Sequence, residues 1–359
     1  MRRLLLAAVA LLAAAAPASA AVTVTDLAPV AADTPTSAYG GYVVWSEQGA
    51  DGMWRLVAFH DGATTTLGVA PRSVPFDADV GPDAADRPTV TFSRCAPEPD
   101  YTSQQPWAVA RNCRLRQVAL PGGGESGLAV PRTGASDSTP SRWGGRVAFQ
   151  RRAKGADVSQ VMLYDFRHRR LKRLRHGAVP RTCHLAGGCA RATHQAEVGE
   201  IDLGAREVAF SWHVAVPDAI GAGAVWELRA EQTASLTSVL AGNGYVSGAC
   251  GARTPYSPNA TAAGVLFLSR WYHCEQVEGT LTATTFAGGG LLSRTDDVGG
   301  GVAWRIAVDR SDGTTYAVLG PARRSTQTPL PAGSLRLVRL DGVTPAQTGK
   351  RAGEPFTTG

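Results

Sequence analysis

Helical periodicity and long apolar runs are both missing from this sequence after its first 20 residues. No later segment repeats apolar residues at the spacing of a helix face, which argues against an α-helical fold. No later run approaches the roughly twenty apolar residues that cross a bilayer, so we expect no membrane span. The sequence also lacks a nucleophile elbow, a helical zinc-protease motif, a phosphate loop and a dinucleotide fingerprint. It therefore nominates no catalytic residue, and whether the chain is an enzyme stays open.

Lysine is scarce, since it occurs only at Lys154, Lys172 and Lys350. Arginine carries nearly all of the positive charge, and the formal net charge is only +6. A weak basic bias of this kind does not indicate a nucleic-acid binder, and no motif of a nucleic-acid module is present. We therefore expect no nucleic-acid partner.

The amino terminus reads MRRLLLAAVALLAAAAPASAAVTV. Two arginines precede an apolar stretch, and Ala18-Ser19-Ala20 suits the small-residue rule for signal cleavage. We expect a signal peptide over residues 1–20 and a secreted or extracytoplasmic, monomeric product that begins near Ala21. One domain is predicted over residues 21–345, followed by a flexible tail over residues 346–359.

Short apolar runs separated by Gly, Asp and Pro clusters fill the rest of the chain, which contains 41 glycines and 22 prolines. This pattern is typical of strands joined by tight turns. Between Tyr42 and Leu67, the pairs Asp51-Gly52 and Asp61-Gly62 predict two hairpin turns, because glycine adopts the positive φ that such turns need. The predicted fold class is all-β.

Similar apolar strands recur at intervals near the length of a four-stranded propeller blade. Their marker residues are Trp45, Phe92, Phe149, Phe210, Phe267 and Trp304. We therefore predict a β-propeller of four-stranded blades, with six blades, because a closed ring buries both faces of every sheet. The strand Ser334 to Gly342 is predicted to close the ring with a strand near the amino terminus. A pair of tandem β-sandwiches, divided near Arg132 to Ser141, is the alternative.

Two units carry a related motif, Ser257-Pro258-Asn259 and Gly81-Pro82-Asp83. These units resemble degenerate repeats of TolB-like, WD40-like propellers. The resemblance implies a propeller in which the motif forms a turn before an inner strand. TolB carries a separate α/β domain before its propeller, and here the first unit begins too soon after the signal for such a domain. The partner interactions of TolB are therefore not carried over.

Six cysteines in an exported chain predict three disulfides, although six cysteines allow 15 connectivities. Proximity in sequence suggests Cys95 with Cys113, Cys183 with Cys189, and Cys250 with Cys274. The segment Cys183 to His194 also holds two histidines, so a zinc site is an alternative, but its spacing matches no standard zinc motif.

A loop rich in aspartate, FDADVGPDAAD, places Asp77, Asp79, Asp83 and Asp86 close together. Such oxygens can bind Ca²⁺, which takes six to eight oxygen ligands. Aspartate also favours turns, where its side chain bonds nearby backbone. Calcium is the one cofactor that the sequence suggests, with Asp77, Asp79 and Asp83 as ligands, and otherwise no cofactor is expected.

Basic residues concentrate in FRHRRLKRLRH, residues 166–176. They are Arg167, Arg169, Arg170, Lys172, Arg173 and Arg175. If the flanking strands pair, the cluster lies on an exposed hairpin that attracts an anionic cell-wall polymer. The alternative is solvated charge that protects a sheet edge from pairing.

Aromatic groups at Ser211 to His213 and Arg270 to His273 fit either a ligand pocket or packing between blades, and packing is the preferred interpretation. The sequence thus predicts a binding or scaffolding module of the cell envelope or extracellular space, with an unknown protein or an anionic wall polymer as partner. An extracellular hydrolase or lyase that acts on glycans or cell-wall polymers is the alternative function.

Overall fold

The computed structural model describes most of the chain from residue 22 to residue 342. The described ranges are 22–101, 106–131, 134–156, 158–175, 177–178, 181–184, 188–191, 196–218, 221–233, 238–246, 252–261, 264–273, 276–285, 289–294, 302–321 and 333–342. The predicted signal peptide, the predicted tail, Cys250 and Cys274 lie outside the described residues.

Strands make up nearly all of the described structure, and each of the first three blades contains four of them. Blade I contains β2 (Ser37–Tyr39), β3 (Tyr42–Gln48), β4 (Trp54–His60) and β5 (Ala63–Thr66). Blade II contains β6 (Asp79–Pro82), β7 (Pro88–Arg94), β8 (Arg114–Ala119) and β9 (Ser126–Gly127). Blade III contains β10 (Ser136–Trp143), β11 (Arg146–Arg152), β12 (Ser159–Asp165) and β13 (Arg170–Arg173).

The remaining strands form two more blades, a small hairpin and a closing sheet. The hairpin is β14 (Arg181–His184) with β15 (Gly188–Arg191). Blade IV contains β16 (Ala196–Leu203), β17 (Glu207–Asp218), β18 (Gly221–Gln232) and β19 (Ser238–Val246). Blade V contains β20 (Ala252–Thr261), β21 (Gly264–His273), β22 (Gln276–Thr285) and β23 (Gly289–Arg294). The closing sheet contains β24 (Val302–Val308), β25 (Thr315–Gly320), β26 (Leu335–Asp341) and β1 (Thr23–Val30).

The sheets are antiparallel and form a β-propeller. Five blades consist of four consecutive strands, whereas the closing sheet has the order β1-β26-β25-β24 and so joins the two ends of the chain. The all-β propeller of four-stranded sheets is confirmed. The blades of four consecutive strands number five, so the predicted count of six blades is wrong; the remaining four-stranded sheet is the closing sheet shared by the two ends of the chain. The tandem-sandwich alternative is wrong, since Ser136 to Ser141 lies in the first strand of blade III instead of a linker.

The pairing of β1 with β26 confirms the predicted closure between the chain ends. Thr23 lies opposite Asp341 and Val30 lies opposite Leu335. The innermost strands β2, β6, β10, β16, β20 and β24 are neighbours in that order, and β24 also contacts β2. The ring is therefore closed both by backbone pairing in one sheet and by packing around the channel.

The core is divided among the interfaces between neighbouring sheets. Trp45 of blade I and Trp304 of the closing sheet belong to one buried cluster, and Phe76 and Phe92 pack with blade I residues in the next. Blades III and IV share a third cluster that includes Phe210. Side chains alternate between the two faces of a strand, so both faces of a sheet carry apolar residues. In a ring each sheet packs against a neighbour on either side, and both of its faces are therefore covered.

The local turns follow the sequence expectations, but the motif position does not. Gly52 and Gly62 have φ of +74° and +78°, which confirms both hairpin turns of blade I. Ser257-Pro258-Asn259 was predicted as a turn before an inner strand, and it instead lies within the innermost strand β20. The Trp304 marker also lies in an innermost strand, whereas the Phe92 marker lies in a second strand. The described residues include no helix long and apolar enough to span a bilayer.

Candidate functional site

A cavity of about 310 Å³ occupies the central channel. The five blades and the closing sheet, or the segments that lead into them, all contribute to its lining. Its charged residues are Asp33, Asp77, Asp79, Glu200, Asp202 and Arg305. Tyr101 and Trp107 supply aromatic surface, and Thr36, Thr139 and Ser257 supply hydroxyl groups. The cavity therefore combines several carboxylates, one guanidinium and an aromatic wall.

Polar side chains of the innermost strands connect each sheet to the next. The Ser37 hydroxyl accepts from Val80 N–H at 3.0 Å and donates to Asp79 at 2.7 Å, which joins blades I and II. Asp79 accepts from the Ser141 hydroxyl at 2.9 Å and from Arg142 N–H at 3.2 Å, which joins blades II and III. These bonds satisfy groups that are buried away from water.

The same arrangement continues around the ring. Leu203 N–H donates to the Ser141 hydroxyl at 2.7 Å, and Ala260 N–H donates to Asp202 at 2.5 Å. Val308 N–H donates to Asn259 Oδ1 at 2.7 Å, and Asp309 accepts from the N–H groups of Gly40 at 3.0 Å and of Gly41 at 2.7 Å. Every junction between neighbouring sheets is thus bridged by a polar side chain, so several of the channel carboxylates are structural.

Arg310 reaches into the centre of the ring from the turn after β24. Its guanidinium lies 2.5 Å from Asp202 Oδ1 and 3.2 Å from Asp79, and the arginine side chain is 3% exposed. Burial raises the pKa of Asp202, Arg310 acts in the opposite direction, and Asp79 adds to the increase. The site holds two carboxylates against one buried guanidinium, so its charge is not balanced locally.

A second ion-pair group, centred on Arg305 of β24, also lines the cavity. The Arg305 guanidinium lies 2.5 Å from Asp33 Oδ1 through Nε and 2.5 Å from Glu200 Oε1 through Nη1. The second oxygen of Glu200 accepts from Ser257 N–H at 2.5 Å. The three charged side chains are 15 to 25% exposed, so they are partly desolvated and accessible from the cavity.

The aromatic wall comes from an insertion between β7 and β8. The disulfide between Cys95 and Cys113 closes this insertion, which confirms that predicted pair. The rings of Tyr101 and Trp107 meet edge to face, with centroids 6.1 Å apart. Since β7 runs antiparallel to β6, the insertion emerges where β6 begins, and it covers that side of the cavity.

The insertion is held by two buried side chains, Arg152 of blade III and Glu197 of blade IV. Trp107 N–H donates to Glu197 Oε2 at 3.1 Å, and the Arg152 guanidinium donates to the Trp107 carbonyl at 2.6 Å. Arg152 also lies 3.3 Å from Glu197. Burial raises the pKa of Glu197 to about 8, although Arg152 and the Trp107 N–H favour the charged form.

The carboxylates suggested as calcium ligands each have their own donors. Asp77 accepts from Ser93 N–H at 2.9 Å and from the Ser93 hydroxyl at 2.6 Å. Asp83 binds the Arg87 guanidinium and caps the turn after β6 through Ala85 N–H. Within the described ranges, no three His, Cys, Asp or Glu side chains are grouped to hold a metal ion. The assignment of Asp77, Asp79 and Asp83 to calcium stays a prediction.

The basic cluster lies far from the innermost strands, on the outer edge of blade III. Arg167 and Arg169 occupy the exposed turn between β12 and β13, and Arg170, Lys172 and Arg173 are exposed on β13. Arg175 follows β13 and is also exposed. The predicted hairpin is therefore present, and its anion-binding role stays a prediction.

The structure also places the aromatic group at Ser211 to His213 and the cysteines of the segment that begins at Cys183. Trp212 is fully buried in the cluster between blades III and IV, and His213 is 3% exposed, which confirms packing for this aromatic group. Cys183 lies opposite Cys189 in the hairpin of β14 and β15. Cross-strand neighbours of this kind suit the predicted pair, which stays a prediction.

Sequence reasoning missed the main cavity residues outside the aspartate loop. Asp33, Thr139, Glu200 and Arg305 come from distant parts of the chain and share no linear motif. A weak signal does exist, because Thr139-Pro140-Ser141, Glu200-Ile201-Asp202 and Ser257-Pro258-Asn259 all place polar residues on either side of an apolar one. In each triplet the last residue bridges to the next sheet.

Comparison with known proteins gives distant structural similarity only. An oligogalacturonate lyase in complex with manganese matches with a TM-score of 0.41 at 10% identity, over 85% of this chain and 76% of that chain. The β-propeller domain of the Trilobed protease from Pyrococcus furiosus matches with a TM-score of 0.40 at 8% identity, over 88% and 96%. An oligogalacturonate lyase from Vibrio parahaemolyticus matches with a TM-score of 0.41 at 9% identity, over 88% and 93%.

These similarities are too weak to carry an argument about activity. No protein-family model matches the chain, and no curated protein matches it. The resemblance to TolB-like repeats is therefore not confirmed as family membership, and the propeller architecture rests on the sheet order and the closed ring.

Proposed function

We propose that this chain is an exported β-propeller binding module that takes a small molecule into its central cavity. The observation that carries the proposal is the cavity itself, which is bounded by all six sheets and covered by the aromatic insertion. Its volume of about 310 Å³ lies at the lower end of the range typical of ligand sites. Partly exposed polar groups, such as Glu200 and Arg305, line the cavity and can orient a ligand while they hold each other in place.

Binding fits the cavity better than catalysis does. General acid–base catalysis needs a group that can exchange a proton with a bound substrate. The channel carboxylates are instead engaged by N–H, hydroxyl or guanidinium donors; Asp79, for example, contacts Ser141, Arg142 and Arg310. Their arrangement supports rigid recognition of a ligand.

An extracellular glycan-directed enzyme is the second candidate. It is favoured by one observation, namely that Asp33 and Glu200 are both held at the cavity by Arg305. Paired carboxylates are the usual catalytic groups of glycoside hydrolysis. A polyuronate substrate, as in the oligogalacturonate lyases, suits this cavity less well, because the lining carboxylates outnumber the lining guanidinium five to one. Release of reducing ends from cell-wall glycans, abolished by Glu200→Gln, would support the enzyme.

Equilibrium dialysis tests the binding module directly. The mature protein is dialysed against a small-molecule extract of the producing culture, and retained compounds are identified by mass spectrometry. Thr36→Trp adds bulk at the cavity lining, and Thr64→Trp adds the same bulk on the exposed outer strand of blade I. Compounds retained by the parent and by Thr64→Trp but not by Thr36→Trp support the proposal. Retention that Thr36→Trp leaves unchanged would contradict it.

Export and the wall-polymer partner are separate parts of the proposal. Export predicts that amino-terminal sequencing of protein from the culture medium begins near Ala21. Binding of an anionic wall polymer by the basic cluster predicts sedimentation with isolated walls that weakens steeply with salt, because exposed charges are screened. Charge reversal at Arg169, Arg170 and Arg173 should remove that sedimentation, and unchanged sedimentation would rule the polymer out.

A further inference from the structure

Thr139 carries a buried hydroxyl that the fold does not use. Thr139 is one of the residues that line the central cavity, and it is 5% exposed. Among the described residues, Thr139 Oγ1 has no hydrogen-bond partner. An unpaired buried hydroxyl is costly, so its presence beside a cavity indicates a partner that comes from outside the chain.

The backbone of Thr139 is also held in a conformation that threonine rarely adopts. Its φ is +46°, in the left-handed region, where a β-branched residue is strained. The backbone N–H donates to Asp77 Oδ2 at 2.8 Å, which fixes the residue next to that carboxylate. The neighbouring structure therefore holds the backbone of Thr139 in place at the cavity.

Ser257 of blade V provides an internal comparison for Thr139. Both residues line the cavity, both precede a proline, and Ser257 has a φ of +52°. The Ser257 hydroxyl donates to the Ile306 carbonyl at 2.8 Å and accepts from Ile306 N–H at 3.1 Å, which joins blade V to the closing sheet. The hydroxyl at this position thus serves the fold in blade V but has no such role in blade III.

The charge around the cavity favours a cation. Five carboxylates line it, and Arg305 is the one lining guanidinium. Arg72 lies 3.6 Å from Asp77, and Arg310 lies against Asp79 and Asp202, so three guanidinium groups face five carboxylates. The surplus is negative, and the partly desolvated setting strengthens attraction for a positive ligand.

The aromatic wall suits the same kind of ligand. Tyr101 and Trp107 present ring surface to the cavity from the disulfide-closed insertion. Ring faces attract cations that lie over them, and Trp is the strongest of the aromatic partners.

We propose that the central cavity binds a ligand bearing a primary ammonium group, whose N–H groups donate to Thr139 Oγ1 while Asp77 supplies negative charge and the Tyr101–Trp107 wall packs against its apolar part. This inference rests on the proposed function and names its ligand class. A primary ammonium has three N–H donors, which match an unused acceptor better than a quaternary ammonium does.

Calorimetric titration of the mature protein with benzylamine, and separately with benzyl alcohol, tests the inference. The two probes share a ring and differ in charge and donor number. We expect benzylamine to bind at least about tenfold more tightly than benzyl alcohol, because hydrogen bonds from charged donors are the stronger ones. Thr139→Val keeps the side-chain shape and removes only the hydroxyl, so it should weaken benzylamine binding about fivefold.

Thr64→Val makes the same atomic change on the exposed strand β5 and should leave benzylamine binding as in the parent. Thermal unfolding of Thr139→Val should show equal or higher stability, since the variant loses an unpaired buried hydroxyl. A less stable Thr139→Val protein would show that the hydroxyl serves the fold, and this result would overturn the inference.

The two proposals fail in different ways. Equal binding of both probes, blocked by Thr36→Trp, would overturn the ammonium ligand while leaving the cavity as a binding site. Binding of benzylamine that is unchanged in Thr139→Val would also overturn the assigned contact. Failure of both probes to bind would overturn the ammonium class, and the dialysis experiment would still decide whether the cavity binds another small molecule.

Discussion

The guanidinium of Arg310 lies 2.5 Å from the carboxylate of Asp202, and both side chains are buried at the centre of the ring. Arg310 follows the innermost strand of the closing sheet, whereas Asp202 belongs to blade IV. The same guanidinium reaches Asp79 of blade II. One arginine therefore joins three sheets that are far apart in sequence.

Replacement of Arg310 by leucine should strongly destabilise the propeller. The change leaves Asp79 and Asp202 buried without their counter-charge, and loss of one partner of a buried pair costs about 3–5 kcal/mol. Urea unfolding measures the free energy of unfolding. Arg55→Leu removes an exposed partner of Asp51 and should lower the free energy of unfolding far less, because exposed ion pairs contribute little to stability. Equal effects of the two substitutions would contradict a central role for Arg310.

Removal of the first strand should open the ring. A protein that begins at residue 31 lacks β1, so β26 becomes an exposed edge, and the contacts of Val30 and Leu27 with the closing-sheet core are lost. Exposed edges promote association between chains. We expect a lower melting temperature and aggregates in size-exclusion chromatography, relative to a protein that begins at residue 21. A monomeric protein of unchanged stability would show that the closure is dispensable.

Disulfide mapping should find Cys95 linked to Cys113 and Cys183 linked to Cys189. Thiol labelling of unfolded, unreduced mature protein should find no free cysteine, and two or more labelled thiols would contradict the three-disulfide prediction. Replacing both Cys95 and Cys113 with serine should lower the free energy of unfolding by about 3 kcal/mol, as expected for a loop of this length. The insertion that carries Tyr101 and Trp107 should then become sensitive to proteases.

Stability should fall as pH rises from about 5 towards 8. The pKa of Glu197 is raised to about 8, so in this window the folded protein retains a proton that the unfolded chain has released. The unfolded state then binds fewer protons, and the free energy of unfolding decreases by up to about 1.4 kcal/mol per pH unit. The raised pKa of Asp202 acts in the same direction.

Glu197→Gln should flatten this pH dependence, because glutamine keeps the size of the side chain and cannot ionise. Asp61→Asn removes a surface carboxylate that is 88% exposed and serves as the matched control. Thermal unfolding across the pH range gives the slopes. A parent protein whose stability rises from pH 5 to 8 would contradict the assignment.

Features that depend on nearby residues could be predicted from the sequence. The Asp51-Gly52 and Asp61-Gly62 turns follow from the conformational freedom of glycine, and the Cys95–Cys113 pair joins the ends of one hairpin. The apolar strands around Phe92 and Phe267 also follow from local pattern, and both residues are buried between sheets. Their position as second strands, outside the channel, does not follow from that pattern.

The candidate site was harder to predict, because a polar residue that bridges two sheets and one that faces a ligand look alike in sequence. The sequence groups Asp77 and Asp79 as metal ligands, but it does not show the hydrogen-bond donors that blade III supplies to both carboxylates. Thr139 and Ser257 occupy similar local sequences, yet only the Ser257 hydroxyl finds a backbone partner. No local pattern can distinguish these cases, since the partners are more than 40 residues away.

The sequence by itself determined the all-β class, the hairpin turns and the repeated strands, because apolar alternation and turn chemistry act over a few residues. Only the tertiary structure decided which strands face the channel and which carboxylates Arg310 neutralises. It also placed the disulfide-closed insertion across the cavity. The physical reason is that burial and hydrogen bonding in the channel depend on side chains brought together from every sheet, and ring closure alone sets those distances.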